Sequence, residues 1–275
     1  MKAVVIESFG HEDQLKLADV PVPIPGPTEV LIEIAYTSVN PVDWKIRKGF
    51  LQGRMPHRFP IVLGWDAAGR VKAVGRRVKR FQIGDSVYAY CRKPVIQWGT
   101  YAEYIALEEE LVAQMPQSLN YAQAAAMPLA GLTAWQALHD RVNLQSGETA
   151  LIHAGAGGVG SLGIEFARAL GADVITTASK ANQDYVKSLG AKLCIDYHDE
   201  NFVDVVKEHY PSGIDVVLDC VGGETYRDSF KVLKPGGRIV SVIEQPDSEL
   251  TAKYGIEASY HFVVPNGAEL SVIGK

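Results

Sequence analysis

A glycine-rich turn between an apolar run and an amphipathic run constrains this chain more than any other feature. The run Ala150–His153 predicts a buried strand, and Gly155-Ala156-Gly157-Gly158-Val159-Gly160 follows it directly. Apolar side chains then recur at helical spacing up to Leu170, and Gly171 can end that helix. A strand, a glycine turn and a helix in this order are typical of a dinucleotide-binding unit. An ordinary glycine-rich turn is the alternative, and the surrounding rhythm disfavours it.

The rest of the second half repeats the alternation of strand and helix. Apolar strands are predicted at Thr149–His153, Asp173–Ala178, Leu193–Ile195, Asp215–Asp219, Arg238–Val242 and Tyr260–Val264. Helices are predicted at Tyr121–Met127, Gly131–Arg141, Gly160–Leu170, Ala181–Leu189, Phe202–Glu208 and Glu224–Leu233. Strands without polar alternation indicate a parallel sheet that helices cover on both faces. The sequence therefore predicts an α/β fold with a six-stranded, doubly wound Rossmann sheet.

Residues 1 to about 120 have a different pattern, in which Pro and Gly separate short β-branched runs. Strands are predicted at Lys2–Ile6, Val30–Tyr36, Gly69–Val74, Ser86–Tyr90 and Tyr101–Ala106. Prolines remove strand donors and force turns, which is typical of a small, irregular β-barrel. We therefore predict two domains, over residues 1–120 and 121–275.

The end of the second predicted strand favours NADPH over NADH. An NAD site usually has a carboxylate there, on the ribose 2′-hydroxyl, whereas this chain continues with Ser179-Lys180. Ser179 can donate a hydrogen bond to a 2′-phosphate, and Lys180 can supply a positive charge. The alternative is that Ser179 only caps a helix and Lys180 is solvated. In the turn, Gly155 is expected to permit tight turning, Gly157 the approach of the pyrophosphate, and Gly160 close helix–strand packing.

Composition excludes several other classes of partner. A net charge of -5 over 275 residues gives no general attraction to nucleic acid or to anionic lipid. No apolar run approaches the ~20 residues that span a bilayer, and the first residues do not form a signal peptide. Three well-separated cysteines do not form a disulfide framework. We therefore predict a reduced, cytoplasmic protein without membrane or nucleic-acid partners.

Seven spaced motifs give the chain a resemblance to a known superfamily. They are Ser38–Lys45, Pro60–Gly69, Val71–Gly75, Gly84–Val87, Leu129–Leu138, Gly155–Gly160 and Asp215–Gly223. Through them the chain resembles the medium-chain dehydrogenase/reductase superfamily, in its quinone oxidoreductase branch. The resemblance implies a GroES-like catalytic domain before the Rossmann domain, and a homodimer. It also implies that Tyr197 contacts the 2′-phosphate, although a half-buried surface aromatic residue is an equal alternative.

The resemblance also indicates that no metal site is present. Zinc-dependent relatives carry a cysteine where this chain has Asn40, and a Gly-His-Glu motif where it has Gly64-Trp65-Asp66. The third-ligand region, Met127–Thr133, contains neither Cys nor His. Structural and catalytic zinc sites need three or four nitrogen or sulfur ligands. The predicted reaction is therefore zinc-free reduction of a quinone or an α,β-unsaturated carbonyl by direct hydride transfer from NADPH.

The expected site residues divide between the two domains. By resemblance, Asn40 and Lys45 lie near the nicotinamide and the substrate oxygen, with Lys45 also counted as a cofactor contact. If the resemblance is set aside, Asn40 can equally be a turn residue before Pro41, and Lys45 a solvated lysine. The remaining predicted cofactor contacts are Thr133, Gly155, Gly157, Gly158, Val159, Gly160, Ser179, Lys180, Tyr197, Val221, Gly222, Val242 and Ile243. Asp43 is expected to be structural, and His153 to be a hydrogen-bonded core histidine.

Two other functions remain open, and the chain's end carries one more expectation. A zinc-free 2-enoyl thioester reductase would share fold and cofactor, and a catalytically silent NADPH-binding protein, crystallin-like or a sensor, would share the site without the reaction. Relatives continue beyond a segment like Pro265–Leu270 and return to the first domain. We therefore expect that a short closing strand and helix, which would make this return, are missing after Lys275.

Overall fold

In the computed structural model, which describes residues 1–275, the β-branched runs of the first half form two sheets. A four-stranded sheet has the order β2-β1-β4-β7, and a five-stranded antiparallel sheet has the order β8-β3-β5-β6-β9. The strands are β1 (Lys2–Ile6), β2 (Lys16–Asp19), β3 (Glu29–Tyr36), β4 (His57–Val62), β5 (Asp66–Val74), β6 (Ser86–Tyr90), β7 (Ile96–Trp98), β8 (Tyr104–Glu108) and β9 (Val112–Gln114). Alternate apolar residues of the five-stranded sheet, such as Val30, Ile32, Val71 and Val87, share one buried core.

Three helices come after strands of these sheets in the sequence. They are α1 (Pro41–Arg47), α2 (Tyr121–Ala126) and α3 (Pro128–Trp135), and a six-residue π-helix continues α3 over Gln136–Arg141. A proline at its first position begins α1, where the missing N–H has no intrahelical partner to lose. The sequence did not predict α1, because seven residues give too short a periodic pattern to detect.

The apolar runs of the second half form one parallel sheet. Its strands are β10 (Thr149–Ile152), β11 (Asp173–Thr177), β12 (Leu193–Ile195), β13 (Ile214–Asp219), β14 (Leu233–Ser241) and β15 (Glu257–Tyr260). Their order is β12-β11-β10-β13-β14-β15, and every pair is parallel. This is the strand order of a Rossmann sheet, in which the first strands are added on one side of β10 and the later strands on its other side. The predicted α/β fold class, with a six-stranded parallel sheet in one unit and mainly antiparallel sheets in the other, is confirmed.

Six further helices complete the chain. They are α4 (Gly158–Ala169), α5 (Gln183–Ser188), α6 (Phe202–His209), α7 (Gly223–Ser229), α8 (Ser248–Tyr254) and α9 (Gly267–Ile273). Separate apolar clusters hold β10 with α4, and β13 with α6 and α7. None of the helices has the length and apolar character that crossing a membrane requires.

The chain divides into two units at positions that differ from the predicted ones. Residues 1–132 and 265–275 form the first unit, and residues 133–264 form the second. The boundary predicted at residue 120 lies too early, because α2 packs on β5 of the first unit. The return to the first unit, expected only after Lys275, occurs at Pro265. There Gly267 packs so closely against β9 that an added Cβ would lie 2.5 Å from the carbonyl oxygen of Val112.

The last parallel strand lies earlier than predicted. Pairing with β14 runs from Arg238 with Glu257 to Ser241 with Tyr260, so β15 ends where the predicted strand begins. The apolar run that follows is held differently, because the buried side chain of Gln136 binds the backbone of Val264. Its Nε2 donates to the carbonyl oxygen (2.9 Å), and its Oε1 accepts from the N–H (2.9 Å). The side chain of Gln136, 128 positions away in the sequence, thus makes hydrogen bonds to Val264 of the kind that a neighbouring strand would make.

Candidate dinucleotide and active site

The glycine turn is fastened to the next strand of the sheet. Ala154 has a left-handed backbone (φ +56°), and its N–H donates to Oγ1 of Thr177 (3.1 Å). The N–H of Gly155 donates to the carbonyl oxygen of Thr177 (2.9 Å). A non-glycine residue at positive φ costs free energy and persists where its surroundings hold it. The turn is therefore held in one shape by the end of β11.

The three glycines of the turn have different physical roles. A Cβ on Gly160 would lie 2.2 Å from the carbonyl oxygen of Ala154, so only glycine allows the predicted close packing of helix and strand. A Cβ on Gly155 would lie 2.0 Å from Oγ1 of Thr176, so Gly155 is required by contact with β11, whereas the left-handed residue is Ala154. Gly157 is exposed, and its Cβ would meet only one atom, at 3.2 Å. Its open side is where a ligand can approach.

The N-terminus of α4 is open to an anion. Gly157 is its N-cap and provides no side-chain hydrogen bond, so the N–H groups of the first turn have no protein partner from the cap. The helix has 12 residues, and its dipole places partial positive charge at this end. Gly158 is exposed beside Gly157, and Val159 is half-buried. These backbone donors fit the phosphates of a dinucleotide.

The end of β11 carries hydroxyl and ammonium groups and no carboxylate. Ser179 is half-buried and accepts a hydrogen bond from Nδ2 of Asn182 (3.1 Å). Ser179 makes no side-chain cap to the short 3-10 helix Lys180–Asn182. The side chain of Lys180 is exposed and forms no ion pair. This corner of the second unit can therefore hold a phosphate on a ribose.

A cavity of about 530 Å³ opens at the carboxyl ends of the parallel strands. Tyr197, 55% exposed, lies on its wall with its ring 4.3 Å from that of His198. Ligands of open α/β sheets bind at this end of the strands, beside the reversal of strand order. The full lining is His153, Ala154, Thr177, Tyr197, Glu200, Asn201, Phe202, Val221, Glu224, Thr225 and Asp228.

His153 belongs to the core below this cavity, as predicted. It is fully buried, with Nδ1 3.2 Å from Oγ1 of Thr177 and Nε2 3.0 Å from Oγ of Ser229. Burial lowers the pKa of His153 to about 4. Both ring nitrogens are therefore occupied, and the ring is neutral at physiological pH.

Two loops after β13 and β14 bring four predicted residues together. Val221 and Ile243 expose 48% and 43% of their surface, which is unusual for branched apolar side chains. Between them Gly222 has φ +80°, and a Cβ there would lie 2.7 Å from Cγ2 of Ile243. Val242 is anchored by its N–H to the carbonyl oxygen of Asp219 (3.1 Å). The structure thus brings the predicted contacts of the second unit to one end of its sheet.

In the first unit, Asn40 is held by a buried carboxyl group. Its Nδ2 donates to Oδ2 of Asp66 (2.7 Å) and to Oγ of Ser38 (3.0 Å). Ser38 also donates to Oδ2 of Asp66, and Oδ1 accepts from the N–H of Leu129 (2.8 Å). Asn40 thus precedes α1 as a fixed amide whose N–H groups point inward.

Asp66 is the most perturbed carboxyl group near a predicted site residue. Because it is fully buried, its pKa rises to about 7, and its hydrogen bonds from Ser38, Asn40 and Leu129 only partly oppose this. The sequence placed Asp66 only within Gly64-Trp65-Asp66, the counterpart of a zinc-ligand motif. A carboxylate directly after an apolar glycine–tryptophan pair was the signal of burial that the sequence prediction did not use.

The other residues of α1 have simpler environments. Asp43 is buried and accepts hydrogen bonds from the N–H of Asn40 (2.7 Å) and the hydroxyl of Tyr101 (2.9 Å), which supports the structural role predicted for it. Burial raises the pKa of Asp43. Lys45 is half-buried with its Nζ 5.8 Å from the ring centroid of Trp44, and it forms no ion pair. Thr133 is buried in α3, as the first residue of the second unit.

The positions at which relatives place zinc ligands do not form a metal-binding set here. Trp65 is buried with its ring edge-on to Tyr90, at 6.0 Å between centroids. No group of three or more His, Cys, Asp and Glu side chains in the structure is arranged to hold a metal ion. An indole offers no lone pair for zinc, and a carboxamide offers only its oxygen, which does not replace the nitrogen and sulfur ligands that zinc sites use.

The parallel sheet with its open glycine turn defines a dinucleotide-binding α/β protein of the Rossmann class. Residues 26–117 match the family described as the alcohol dehydrogenase GroES-like domain, and residues 158–254 match the family described as zinc-binding dehydrogenase. The chain therefore belongs to the medium-chain dehydrogenase/reductase superfamily, in its quinone oxidoreductase branch.

Several curated relatives share this family. The chain is 43% identical to a 2-methylene-furan-3-one reductase of Solanum lycopersicum, covering 87% of this chain and 61% of that relative. It is 40% identical to a chloroplastic NADPH-dependent alkenal/one oxidoreductase of Arabidopsis thaliana, covering 88% and 62%. A quinone oxidoreductase of Mus musculus is 34% identical over 88% of this chain and 73% of its own length. The matched stretch thus spans about six tenths of the first two relatives.

Solved structures show the same fold over nearly the whole chain. The quinone oxidoreductase of Coxiella burnetii superposes with a TM-score of 0.87 at 36% identity, covering 100% of this chain and 86% of that one. The Escherichia coli quinone oxidoreductase complexed with NADPH gives a TM-score of 0.87 at 27% identity, covering 99% and 85%.

Proposed function

We propose that this protein is an NADPH-dependent reductase of quinones or α,β-unsaturated carbonyls. The observation that carries the proposal is the uncapped N-terminus of α4 beside a strand end that offers Ser179 and Lys180 and no carboxylate. Relatives named for quinones, alkenals and enones support the substrate class, and one neighbouring structure contains NADPH.

The residues of the second unit fit NADPH. The first turn of α4, at Gly157, Gly158 and Val159, would hold the pyrophosphate through backbone N–H groups. Ser179, Lys180 and Tyr197 would bind the 2′-phosphate, and the cavity of about 530 Å³, whose wall includes both Tyr197 and Val221, would receive the part of the dinucleotide that lies between them. Val221 and Ile243 would pack against the nicotinamide. When bound, NADPH supplies the hydride for the reduction.

In this proposal Lys45 and Asn40 have different tasks. The ammonium group of Lys45 has no ion-pair partner, so it can stabilise negative charge on a substrate oxygen. The amide nitrogen of Asn40 is already held by Oδ2 of Asp66 (2.7 Å), so Asn40 is the less available donor for a substrate oxygen. This assigns donation to the substrate oxygen to Lys45 and leaves Asn40 as a neighbouring group whose orientation Asp66 fixes.

We further propose that the reaction needs no zinc. Asn40 and Trp65 stand where relatives place cysteine and histidine, and neither side chain supplies the nitrogen or sulfur ligand that zinc sites use. Conjugate reduction demands less Lewis-acid help than oxidation of an unactivated alcohol, because charge spreads onto the carbonyl oxygen. A cytoplasmic homodimer stays part of the proposal, to be tested by cell fractionation and by light scattering.

The test is a screen of NADPH oxidation against quinones, 2-alkenals and 2-enoyl thioesters. We expect turnover with quinones or alkenals, and kcat/KM at least tenfold lower with NADH. Turnover confined to thioesters would replace the substrate class. Tight NADPH binding without any turnover would instead indicate a binding protein.

A further inference from the structure

The two loops that carry Val221 and Ile243 begin at a buried carboxylate. Asp219 ends β13 and is fully buried. Its Oδ1 accepts from the N–H groups of Val221 (3.0 Å) and Gly222 (2.9 Å), which shapes the first loop. Its Oδ2 accepts from the hydroxyl of Ser241 (2.6 Å), on the neighbouring strand β14. The side chain of Asp219 therefore binds the backbone of the first loop and also contacts the residue that precedes the second loop.

Ser241 continues the connection into the second loop. It is fully buried at the end of β14, and its Oγ accepts from the N–H groups of Ile243 (3.1 Å) and Glu244 (2.8 Å). A serine hydroxyl has one hydrogen and two lone pairs, so all of its hydrogen-bonding capacity is used.

Glu244 returns the connection to the first loop. Its Oε1 accepts from the N–H of Gly223 (2.9 Å), and a Cβ on Gly222 would lie 3.0 Å from the same oxygen. Asp219, Ser241 and Glu244 thus form a closed set of hydrogen bonds around both loops, which we call the loop circuit. Removing any one member would leave backbone N–H groups without partners.

We infer that the loop circuit is a positioning device that sets the affinity of the second unit for the nicotinamide half of NADPH. The inference rests on the proposed function. Val221 and Ile243 are held about half exposed at the carboxyl end of the sheet, where burial does not hold them in place. Their position therefore depends on backbone hydrogen bonds, and these come from Asp219, Ser241 and Glu244.

A role in the fold alone would predict a different pattern of effects. If the circuit only stabilised the strand ends, its loss would weaken binding of every ligand of the second unit in parallel. If it positions the nicotinamide contacts, its loss would weaken NADPH and spare a ligand that lacks the nicotinamide. Adenosine 2′,5′-bisphosphate is such a ligand, because it carries the adenosine, the 2′-phosphate and the 5′-phosphate but no nicotinamide.

The experiment compares both ligands by calorimetry in the full chain. The variants are Glu244→Ala, which removes the acceptor for Gly223, and Ser241→Ala, which removes the link between the loops. Glu244→Gln keeps an oxygen acceptor and serves as the conservative rescue. Glu249→Ala, on the exposed first turn of α8, is the control outside the circuit. Thermal unfolding identifies any variant that fails to fold, and Glu244→Ala, at a half-exposed side chain, keeps the test open if Ser241→Ala does fail.

We expect NADPH to bind about tenfold more weakly to Glu244→Ala and Ser241→Ala, as the loss of hydrogen bonds predicts. Adenosine 2′,5′-bisphosphate should stay within about twofold of the unmodified protein, and Glu244→Gln should regain most of the NADPH affinity. Unchanged NADPH affinity in the folded alanine variants would overturn the inference, as would parallel losses of both ligands. Failure of the unmodified protein to bind NADPH would instead remove the proposed function, and this inference with it.

Discussion

The glycine turn of the second unit and the Asp66 cluster of the first unit are both polar, yet they differ in where their hydrogen bonds go. At the turn, backbone N–H groups at the start of α4 have no side-chain cap and face outward. Around Asp66 the hydrogen bonds point inward, because Ser38, Asn40 and Leu129 all donate to one buried carboxyl group.

This difference separates a binding surface from a scaffold. Open donors in a rigid setting can bind a ligand without breaking protein hydrogen bonds, so they are suited to phosphate. Satisfied donors fix side-chain orientation, but the burial that allows this raises the pKa of Asp66 to about 7. Changes at the turn should therefore affect ligand binding, whereas changes at Asp66 should affect stability and its dependence on pH.

Within the turn, Gly160 and Gly157 should respond to the same substitution in opposite ways. Gly160→Ala places a methyl group 2.2 Å from a backbone oxygen, so we expect the free energy of unfolding to fall by about 3 kcal/mol or more. Gly157→Ala meets one atom, at 3.2 Å, so stability should change by less than about 1 kcal/mol while NADPH affinity falls. Urea unfolding and calorimetric titration measure both quantities. Equal stability losses would contradict the roles assigned here.

The acidity of Asp66 predicts how stability changes with pH. The folded pKa of about 7 lies above the ordinary carboxyl value of ~3.9, so between these pH values the folded state keeps a proton that the unfolded state loses. Its contribution to stability is therefore fully present below about pH 4 and is lost as pH rises towards 7. Across that window the loss is roughly 4 kcal/mol.

Asp66→Asn should remove this slope. The unfolding free energy of the variant minus that of the unmodified protein should therefore become more positive from pH 4.5 to pH 7.5, because only the unmodified protein loses this contribution. Asp13→Asn, at an exposed carboxyl group, is the matched control. A difference that stays constant across this range would show that Asp66 is ionised in the folded protein throughout.

The charge at the end of β11 should decide which cofactor is preferred. Lys180→Asp replaces an unpaired ammonium group with a carboxylate that repels a 2′-phosphate, so NADPH affinity should fall by ~2 kcal/mol or more. The preference should then reverse towards NADH. Lys187→Asp, exposed on α5, makes the same charge change away from the strand end. Equal Michaelis constants for NADPH and NADH in the unmodified protein would contradict the assignment.

The smallest effect is expected from removal of metal ions. Because Asn40 and Trp65 do not supply the imidazole and thiolate ligands of a zinc site, prolonged treatment with a chelator should leave NADPH oxidation unchanged within experimental error. Metal analysis should find much less than one zinc per chain. Stoichiometric zinc that leaves together with the activity would refute the zinc-free reaction.

Most of the second unit was predictable from sequence because its signals are local. The strands and helices of a Rossmann sheet alternate along the chain, so each apolar run can be recognised within about a dozen residues. The glycine turn is contiguous, and Ser179 and Lys180 directly follow their strand. The residue pattern alone therefore predicted the fold class, the phosphate-binding turn and the preferred dinucleotide.

Tertiary structure decided whatever depends on contacts between distant parts of the chain. Asn40 meets Asp66 across 26 positions, Ser241 meets Asp219 across 22, and Gln136 meets Val264 across 128. The return at Pro265 and the extent of β15 likewise follow from long-range packing and pairing. A sequence pattern records which side chains can be buried or can form hydrogen bonds. Only the folded chain determines which donor meets which acceptor, and thus which N–H groups remain free for a ligand.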